Sequence, residues 1–223
     1  MHMEHASVKA YKGMGMEGPI AKWYAANTGK SMEDFRALAR RVAVELAPGS
    51  AVLELAPGPG YFAIELAKLS SYQITGLDIS KTFVEIARRN AQEVKVAVNF
   101  RQGDASHIPF ADDTFDFLLC RAAFKNFSDP LGAVREMYRV LKKGGRAVII
   151  DLRRDASPKS VNDMVEQLGM GRASTIFTKL TFRFLLLKRA YTRSEVERFV
   201  TQTEFHQADI QENGTGFEIT LRK

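Results

Sequence analysis

Residues 52–62 read Val52-Leu53-Glu54-Leu55-Ala56-Pro57-Gly58-Pro59-Gly60-Tyr61-Phe62. An apolar run ends in a carboxylate, and a tight loop of glycine and proline follows it before a helix-forming stretch. A second apolar run, residues 74–79, also carries a carboxylate near its end, Asp78. This order predicts two parallel strands of a doubly wound sheet, with a ligand site where the carboxyl ends of the strands meet.

Predicted strands and helices alternate from residue 51 onward. We expect strands near residues 51–55, 73–78, 96–102, 115–120 and 146–151, and helices near 61–69, 81–92 and 130–141. Lys142-Lys143-Gly144-Gly145 follows the last helix and is typical of a helix end with cations and a glycine cap. The alternation predicts an α/β domain with a mostly parallel sheet and helices on both faces.

Both ends of the chain depart from this alternation. Residues 1–48 are expected to form an N-terminal helical lid, with a short helix at 20–27 and a longer one after Ser31. Within the main domain, residues 49–223, we expect a helical cap insertion at about 157–190 and then a helix capped by Ser194. Two strand-like runs, 205–211 and 217–222, flank a glycine-containing turn, which predicts an antiparallel C-terminal hairpin.

The composition fits a single domain, with 223 residues of which 45% are hydrophobic. The single cysteine, Cys120, excludes an internal disulfide and a multi-cysteine metal site, and we expect it to be a small buried residue. We find neither the roughly 18–20 apolar residues of a membrane span nor a signal peptide, so we expect a cytoplasmic enzyme. The net charge of +6 fits a soluble surface with a slight surplus of Lys and Arg, and binding of nucleic acid, an anionic membrane or an acidic substrate is the alternative.

The glycine loop predicts a nucleotide-type ligand. Gly58 and Gly60 allow a sharp turn and a close approach, and the N–H groups of the following helix suit a carboxylate. The dinucleotide fingerprint needs glycine at its first, third and sixth positions, but Ala56 and Tyr61 occupy the first and sixth. Glu54 would repel a pyrophosphate, whereas it matches the ammonium and sulfonium of S-adenosylmethionine.

Two further carboxylates complete the predicted donor site. Asp78 is placed to accept hydrogen bonds from both ribose hydroxyls. Asp104, after the third strand, could accept one from the adenine amine while the backbone of Gly103 and Ala105 packs on the ring. The alternative for Asp104 is an ordinary turn aspartate, which is a common role.

Two longer segments resemble a known family. Residues 103–116 (GDASHIPFADDTFD) and 137–146 (MYRVLKKGGR) are similar to the class I S-adenosylmethionine-dependent methyltransferases, and the resemblance extends over about 51–223. Within that family the chain most resembles the ubiquinone/menaquinone-biosynthesis C-methyltransferases and related small-molecule enzymes. The resemblance implies a seven-stranded Rossmann-like sheet with the antiparallel hairpin. It also implies that the reaction uses no metal and releases S-adenosylhomocysteine as its product.

One position departs from the family pattern, because Ala56 stands where the family has its first loop glycine. We expect a negative φ at Ala56 and donor binding that survives the change. We also expect the donor to contact Tyr24, Ile79 and Arg121.

The acceptor side carries weaker signals. Arg121, Lys125 and Asn126 follow the fourth strand, where the family shapes its acceptor site, and Asn126 matches an asparagine of the quinone methyltransferases. The alternative is a surface helix with ordinary polar residues. His107 is expected to be incidental rather than a catalytic base.

The N-terminal aromatic residues allow two interpretations. Tyr11, Trp23 and Tyr24 could cover the donor as part of the lid, because nearby glycines would let that segment move. Alternatively, Trp23 and Tyr24 only anchor the appendage to the core.

Within the insertion, residues 176–189 carry an apolar helical stripe together with cations. The apolar residues are Phe177, Leu180, Phe184 and Leu187, and the cations are Lys179, Arg183 and Lys188. We favour a cap that walls a hydrophobic acceptor pocket. Peripheral contact with an anionic membrane and packing in the core or a dimer are the alternatives.

These observations predict transfer of a methyl group from S-adenosylmethionine to a small molecule, with apolar or aromatic acceptors among the options. Such a transfer needs positioning and exclusion of water more than a catalytic base. The rival hypotheses are an RNA or protein methyltransferase, which a missing nucleic-acid module disfavours, and a non-catalytic module that only binds the donor.

Overall fold

The computed structural model describes residues 11–12, 15–28, 32–167, 179 and 186–223. Seven strands form one sheet in the order β3-β2-β1-β4-β5-β7-β6. They are β1 (Ala51–Leu55), β2 (Gln73–Asp78), β3 (Asn99–Gln102), β4 (Phe115–Arg121), β5 (Leu141–Leu152), β6 (Asp209–Asn213) and β7 (Gly216–Arg222). Strands β1 to β5 are parallel, and β7 is antiparallel to both β5 and β6. The predicted α/β sheet with an antiparallel hairpin is thereby confirmed.

The helices lie on both faces of this sheet. They are α1 (Gly18–Thr28), α2 (Met32–Ala43), α3 (Tyr61–Ala67), α4 (Lys81–Glu93), α5 (Pro130–Val140), α6 (Pro158–Gln167) and α7 (Arg193–Thr201). Two short helical turns, Phe124–Asn126 and Leu187–Arg189, complete the described helical segments. None of the described helices is long and apolar enough to cross a bilayer.

Alternation along the strands produces two apolar layers. Phe117 and Leu119 of β4 pack with residues of α2, α3 and α4 on one face. Leu118 and Cys120 pack with residues of α5 and α7 on the other. Because successive side chains of a strand point to opposite faces, one apolar strand supplies both cores.

Two predicted helix boundaries are wrong. Helix α5 ends at Val140, because Leu141 has extended backbone and already pairs with Phe115 of β4. Lys142-Lys143-Gly144-Gly145 therefore belongs to β5 and does not cap the helix.

At α7 the N-cap is Thr192 rather than Ser194. Thr192 and Glu195 form a reciprocal capping box, so the helix begins one residue before Ser194. Strand β3 also begins later than predicted, at Asn99.

Several predictions lie outside the described residues. These are the N-cap role of Ser31 and the apolar stripe through Phe177, Leu180 and Phe184, together with Arg183. Within the predicted insertion the structure describes α6, Lys179 and the turn Leu187–Arg189 with its flanking residues. Val161, Val165 and Leu187 there form a small apolar cluster of their own.

Candidate functional site

The glycine loop between β1 and α3 contains three residues in the left-handed region. The φ angles are 53° at Ala56, 55° at Gly58 and 80° at Gly60. The expected negative φ at Ala56 is therefore wrong. An L-residue in this region pays about 1–2 kcal/mol, and at Ala56 a 2.8 Å hydrogen bond from its N–H to the carbonyl of Leu77 holds the strained backbone in place.

The two glycines serve different purposes. A Cβ at Gly60 would lie 2.6 Å from the Phe100 ring and 3.0 Å from the Cβ of Ala87, so close packing requires glycine there. A Cβ at Gly58 would meet no atom within 4 Å. Packing therefore does not require glycine at position 58, although the residue itself is buried and its φ of 55° favours glycine.

Glu54 is the penultimate residue of β1 and is buried, with 3% of its surface exposed. Its Oε2 accepts a hydrogen bond from the backbone N–H of Ala63 in the first turn of α3, at 3.1 Å. Burial raises the pKa of Glu54 to about 8, while the Ala63 N–H and the charge of Arg121 act to lower it. The site thus holds a desolvated carboxyl group that a nearby cation would ionise.

Asp78 is the last residue of the neighbouring strand β2 and is also buried. Its Oδ2 accepts the N–H of Gly58 and its Oδ1 accepts the N–H of Ser80, both at 2.9 Å. Burial raises the pKa of Asp78, against the effect of these two hydrogen bonds. The carboxylate consequently joins the glycine loop to the start of α4.

The third strand contributes a tight turn. Asp104 Oδ1 accepts hydrogen bonds from the backbone N–H and the hydroxyl of Ser106, both at 2.9 Å. This geometry is that of a turn aspartate, the alternative role considered for Asp104. Next to it, a Cβ at Gly103 would lie 2.6 Å from Leu77, which explains a glycine there, and Ala105 packs on the main core.

Ile79 lies at the rim of the same edge of the sheet and keeps 37% of its surface exposed. The carbonyl of Ile79 accepts a 3.1 Å hydrogen bond from the side-chain amide of Gln102 on the neighbouring strand. An exposed apolar side chain beside the glycine loop suits contact with a flat ring.

Arg121 ends β4 and is half-buried. Its guanidinium lies over the ring of Phe35 on α2, 4.4 Å from the ring centroid. Phe35 in turn makes an edge-to-face contact with Tyr61, the first residue of α3. The cation is thereby held between the N-terminal helices and the end of the sheet.

Lys125 is predicted to border the acceptor, but its side chain is buried. Its ammonium donates to Asp151 Oδ1 at 2.8 Å and to the carbonyl of Ala122 at 2.6 Å, and the side chains of Lys125 and Asp151 are 7% and 1% exposed. Asp151 Oδ2 also accepts the backbone N–H of Lys125 at 2.9 Å. The pair is a buried support for the turn that carries Asn126.

The sequence analysis missed Asp151. Like Glu54 and Asp78, it is a carboxylate near the end of a strand. Its position at the end of the predicted fifth strand could have identified it as a candidate.

Residues near the N-terminus reach the same edge of the sheet. Tyr11 forms an antiparallel bridge with Phe127, and the N–H of Lys12 donates to the carbonyl of Asn126 at 2.8 Å. The Lys12 ammonium contacts the hydroxyl of Tyr191. Burial raises the pKa of the Tyr11 phenol. Tyr11 is thus half-buried next to the acceptor-side turn.

The three aromatic residues proposed as a lid have different surroundings. Tyr24 packs edge-to-face on Phe83 of α4, with ring centroids 5.8 Å apart, which is the anchoring role. Trp23 lies on α1 and keeps 68% of its surface exposed.

Glu17 is a second feature that sequence reasoning missed. Its carboxylate accepts the backbone N–H groups of Lys81 and Thr82, at 3.0 and 3.1 Å, and so caps α4 from outside that helix. The hydroxyl of Ser80 donates to the carbonyl of Met16 at 2.7 Å. These bonds attach the N-terminal segment to the end of β2.

The remaining candidates are peripheral to this arrangement. His107 is exposed on the Asp104 turn, where its Nδ1 lies 3.1 Å from the Ser106 hydroxyl. Cys120 is fully buried, as predicted, and burial raises the pKa of its thiol well above the usual range. Over the part of the chain that the structure describes, no group of three or more His, Cys, Asp or Glu residues is placed to hold a metal.

Comparison with known proteins gives one family match. Residues 53–149 match the family model of the methyltransferase domain. These residues run from β1 into β5 and include Glu54, the glycine loop, Asp78, Asp104 and Arg121.

Curated relatives match about half of the chain. The demethylmenaquinone methyltransferase of Deinococcus radiodurans is 37% identical over 107 residues, covering 48% of this chain and 44% of that protein. The ubiquinone/menaquinone biosynthesis C-methyltransferase UbiE of Geotalea daltonii is 39% identical over 112 residues, covering 48% of each. The chain thus spans about half the length of the curated relatives it matches.

A solved structure matches over nearly the whole chain. The crystal structure of a proposed S-adenosyl-L-methionine-dependent methyltransferase from Methanococcus maripaludis superposes with a TM-score of 0.75. The match covers 95% of each chain at 23% sequence identity, and at that identity it shows a shared fold.

Proposed function

We propose that this chain is a class I S-adenosylmethionine-dependent methyltransferase that methylates a small apolar acceptor. The match of residues 53–149 to the methyltransferase domain and the shared fold support this proposal. S-adenosylmethionine supplies the activated methyl group, and S-adenosylhomocysteine is the product. The names of the curated relatives support a quinone-like acceptor.

One observation carries the proposal. Two buried carboxyl groups, Glu54 and Asp78, lie near the ends of adjacent strands, beside the glycine loop that follows β1. A ligand with positive charges and hydroxyl groups matches this arrangement, because ammonium and sulfonium groups favour ionised carboxylates. A dinucleotide, with its anionic pyrophosphate, would not supply the positive charge that favours ionisation of these groups.

The proposed donor contacts follow the strand ends. Glu54 faces the ammonium group, Asp78 accepts the ribose hydroxyls, and the loop backbone at Ala56, Gly58 and Gly60 lies along the donor. Contacts with the adenine come from Ile79, Gly103, Asp104 and Ala105. Tyr24 closes the site from α1.

The proposed acceptor side is the turn after β4. Arg121 and Asn126 border the acceptor, whereas Lys125 supports the turn from below through Asp151. Residues 1–48 would serve as the lid and about 157–190 as the cap that excludes water from the transfer. We place the reaction in the cytoplasm, where its donor is available.

Methyl transfer from a sulfonium depends little on a catalytic base. The residues need to hold the acceptor atom in line with the methyl carbon and the sulfur, which converts a bimolecular step into a nearly unimolecular one. A buried, preorganised site also keeps water away from the activated methyl group.

Calorimetric titration with S-adenosylmethionine and S-adenosylhomocysteine tests the donor assignment. Micromolar binding of both is expected, and binding of neither would contradict the proposal. Radiolabelled donor with 1,4-naphthohydroquinone and with pooled phenols then tests the acceptor class. Donor binding without transfer to any pool would favour a non-catalytic binding module.

A further inference from the structure

Arg121 occupies a position at which its charge can act on the donor. The register of β1 and β4 pairs Leu55 with Cys120, so Arg121 lies beside Ala56, the first residue of the glycine loop. The same register pairs Glu54 with Leu119, two residues before Arg121, so the side chains of Glu54 and Arg121 leave the same face of the sheet. A cation and a carboxyl group thus flank the start of the loop together.

The cation is fixed in place by apolar packing. The Phe35 ring lies 4.4 Å from the guanidinium carbon, and Phe35 is itself buried against Tyr61. Burial raises the pKa of Glu54 and the charge of Arg121 acts to lower it, as expected if the two groups share one desolvated region. A positive charge held in this way is screened less than one on an exposed side chain.

We propose that Arg121 makes the donor site sensitive to the charge on the donor's sulfur, an inference that rests on the proposed function. During transfer the bond between the methyl carbon and the sulfur breaks, and its electron pair stays on the sulfur while the acceptor bonds to the methyl group. The sulfonium charge disappears in this step. A fixed cation nearby disfavours the charged donor relative to the neutral-sulfur product, and so favours the direction of transfer.

The consequence is measurable without any acceptor. S-adenosylmethionine and S-adenosylhomocysteine share their carboxylate, ammonium, ribose and adenine, and differ by the methyl group and the sulfonium charge. In Arg121→Met the affinity for S-adenosylmethionine should rise relative to that for S-adenosylhomocysteine. A change of about tenfold in the ratio of the two dissociation constants corresponds to two unit charges roughly 10 Å apart at an effective dielectric constant of about 20.

Two variants serve as controls. Arg121→Lys keeps the positive charge, so the wild-type ratio should be largely retained. Arg146→Met removes a guanidinium that also lies over a sheet phenylalanine, Phe117, at 5.2 Å, and is paired with Glu45. Arg146 stands opposite Phe117 near the start of β4, away from the glycine loop, so its removal should leave the ratio unchanged.

Calorimetric titration of the full chain and these three variants with both ligands, at low and moderate salt, decides the matter. Equal weakening of both ligands in Arg121→Met would mean that Arg121 holds the shared carboxylate, and would overturn the inference. Unchanged affinities would overturn it as well. Failure of the wild-type protein to bind either ligand would instead remove the proposed function.

Discussion

The carboxylate of Asp78 accepts the backbone N–H of Gly58 across 2.9 Å, and so connects the end of β2 to the loop that follows β1. Its other oxygen receives the N–H of Ser80, the N-cap of α4. One buried side chain therefore sets the position of both the glycine loop and a helix start.

Replacement of Asp78 should reduce donor affinity. In Asp78→Ala the loop loses its anchor and the proposed ribose contacts disappear. Because each hydrogen bond to a charged group is worth about 1.5–3 kcal/mol, the dissociation constant for S-adenosylhomocysteine should rise at least tenfold. Titration calorimetry measures this, and Asp78→Asn, which keeps one acceptor oxygen, should fall between. Wild-type affinity in a folded Asp78→Ala protein would contradict the assignment.

Glu54 should make stability depend on pH in an unusual direction. Burial raises its pKa from 4.5 to about 8, so between these values the folded protein keeps a proton that the unfolded chain releases. The free energy of unfolding should therefore fall as the pH rises from about 4.5 to about 8. Urea unfolding across this range should show a weaker decline in Glu54→Gln, which stays neutral and can still accept the Ala63 N–H. Parallel curves for the two proteins would refute the prediction.

The strained backbone at Ala56 predicts a stabilising substitution. Glycine adopts a φ of 53° without the Cβ penalty, although it adds freedom to the unfolded chain. Ala56→Gly should raise the free energy of unfolding by about 0.5–1 kcal/mol, measured by urea denaturation.

Gly58→Ala is the matched comparison for Ala56→Gly. Its Cβ would meet open space at a φ of 55°, so backbone strain alone should cost about 1 kcal/mol. A loss of stability in Ala56→Gly would show that the left-handed conformation is not strained there.

The buried pair of Lys125 and Asp151 should be costly to break. Lys125→Met leaves a carboxylate without its cation in the core, which should lower the free energy of unfolding by about 3–5 kcal/mol. Adding Asp151→Leu should recover part of that loss, as equilibrium unfolding of the single and double variants would reveal. The exposed pair of Arg193 and Glu197 is the control, since Arg193→Met should change stability by less than about 1 kcal/mol.

Glu17 should hold the N-terminal segment on α4. Although partial burial acts to raise its pKa, hydrogen bonds from Thr82 and its neighbours bring the pKa below the usual value. Glu17→Ala removes the acceptor for two N–H groups at the helix start and should cost about 1 kcal/mol. Hydrogen exchange at the Lys81 and Thr82 amides should speed up. The exposed Glu85 on the same helix is the control, and equal exchange in Glu17→Ala and Glu85→Ala would argue against the cap.

The sequence predicted the elements that local periodicity determines. Strands β1 and β2 and the carboxylates Glu54 and Asp78 lie where the apolar runs placed them. The left-handed φ of Ala56 could not be read from its residue type, since alanine usually avoids that region. The pairing of Lys125 with Asp151 joins the ends of β4 and β5, and depends on a strand register that no local pattern encodes.

The helix boundaries likewise depend partly on local sequence and partly on the pairing of strands. Lys142-Lys143-Gly144-Gly145 has the chemistry of a helix end, but pairing of Leu141 with Phe115 starts the strand first. At α7 the pattern Thr192-x-x-Glu195 was present in the sequence and predicts the observed cap better than Ser194 does.

The order of the sheet also has a consequence for synthesis on the ribosome. Strand β7 lies between β5 and β6, although both of these strands precede it in the chain. While residues 153–215 emerge, the outer edge of β5 remains open and β6 has no strand to pair with. An unpaired edge can recruit other chains, so a nascent polypeptide of this topology carries a vulnerable surface until β7 closes the gap.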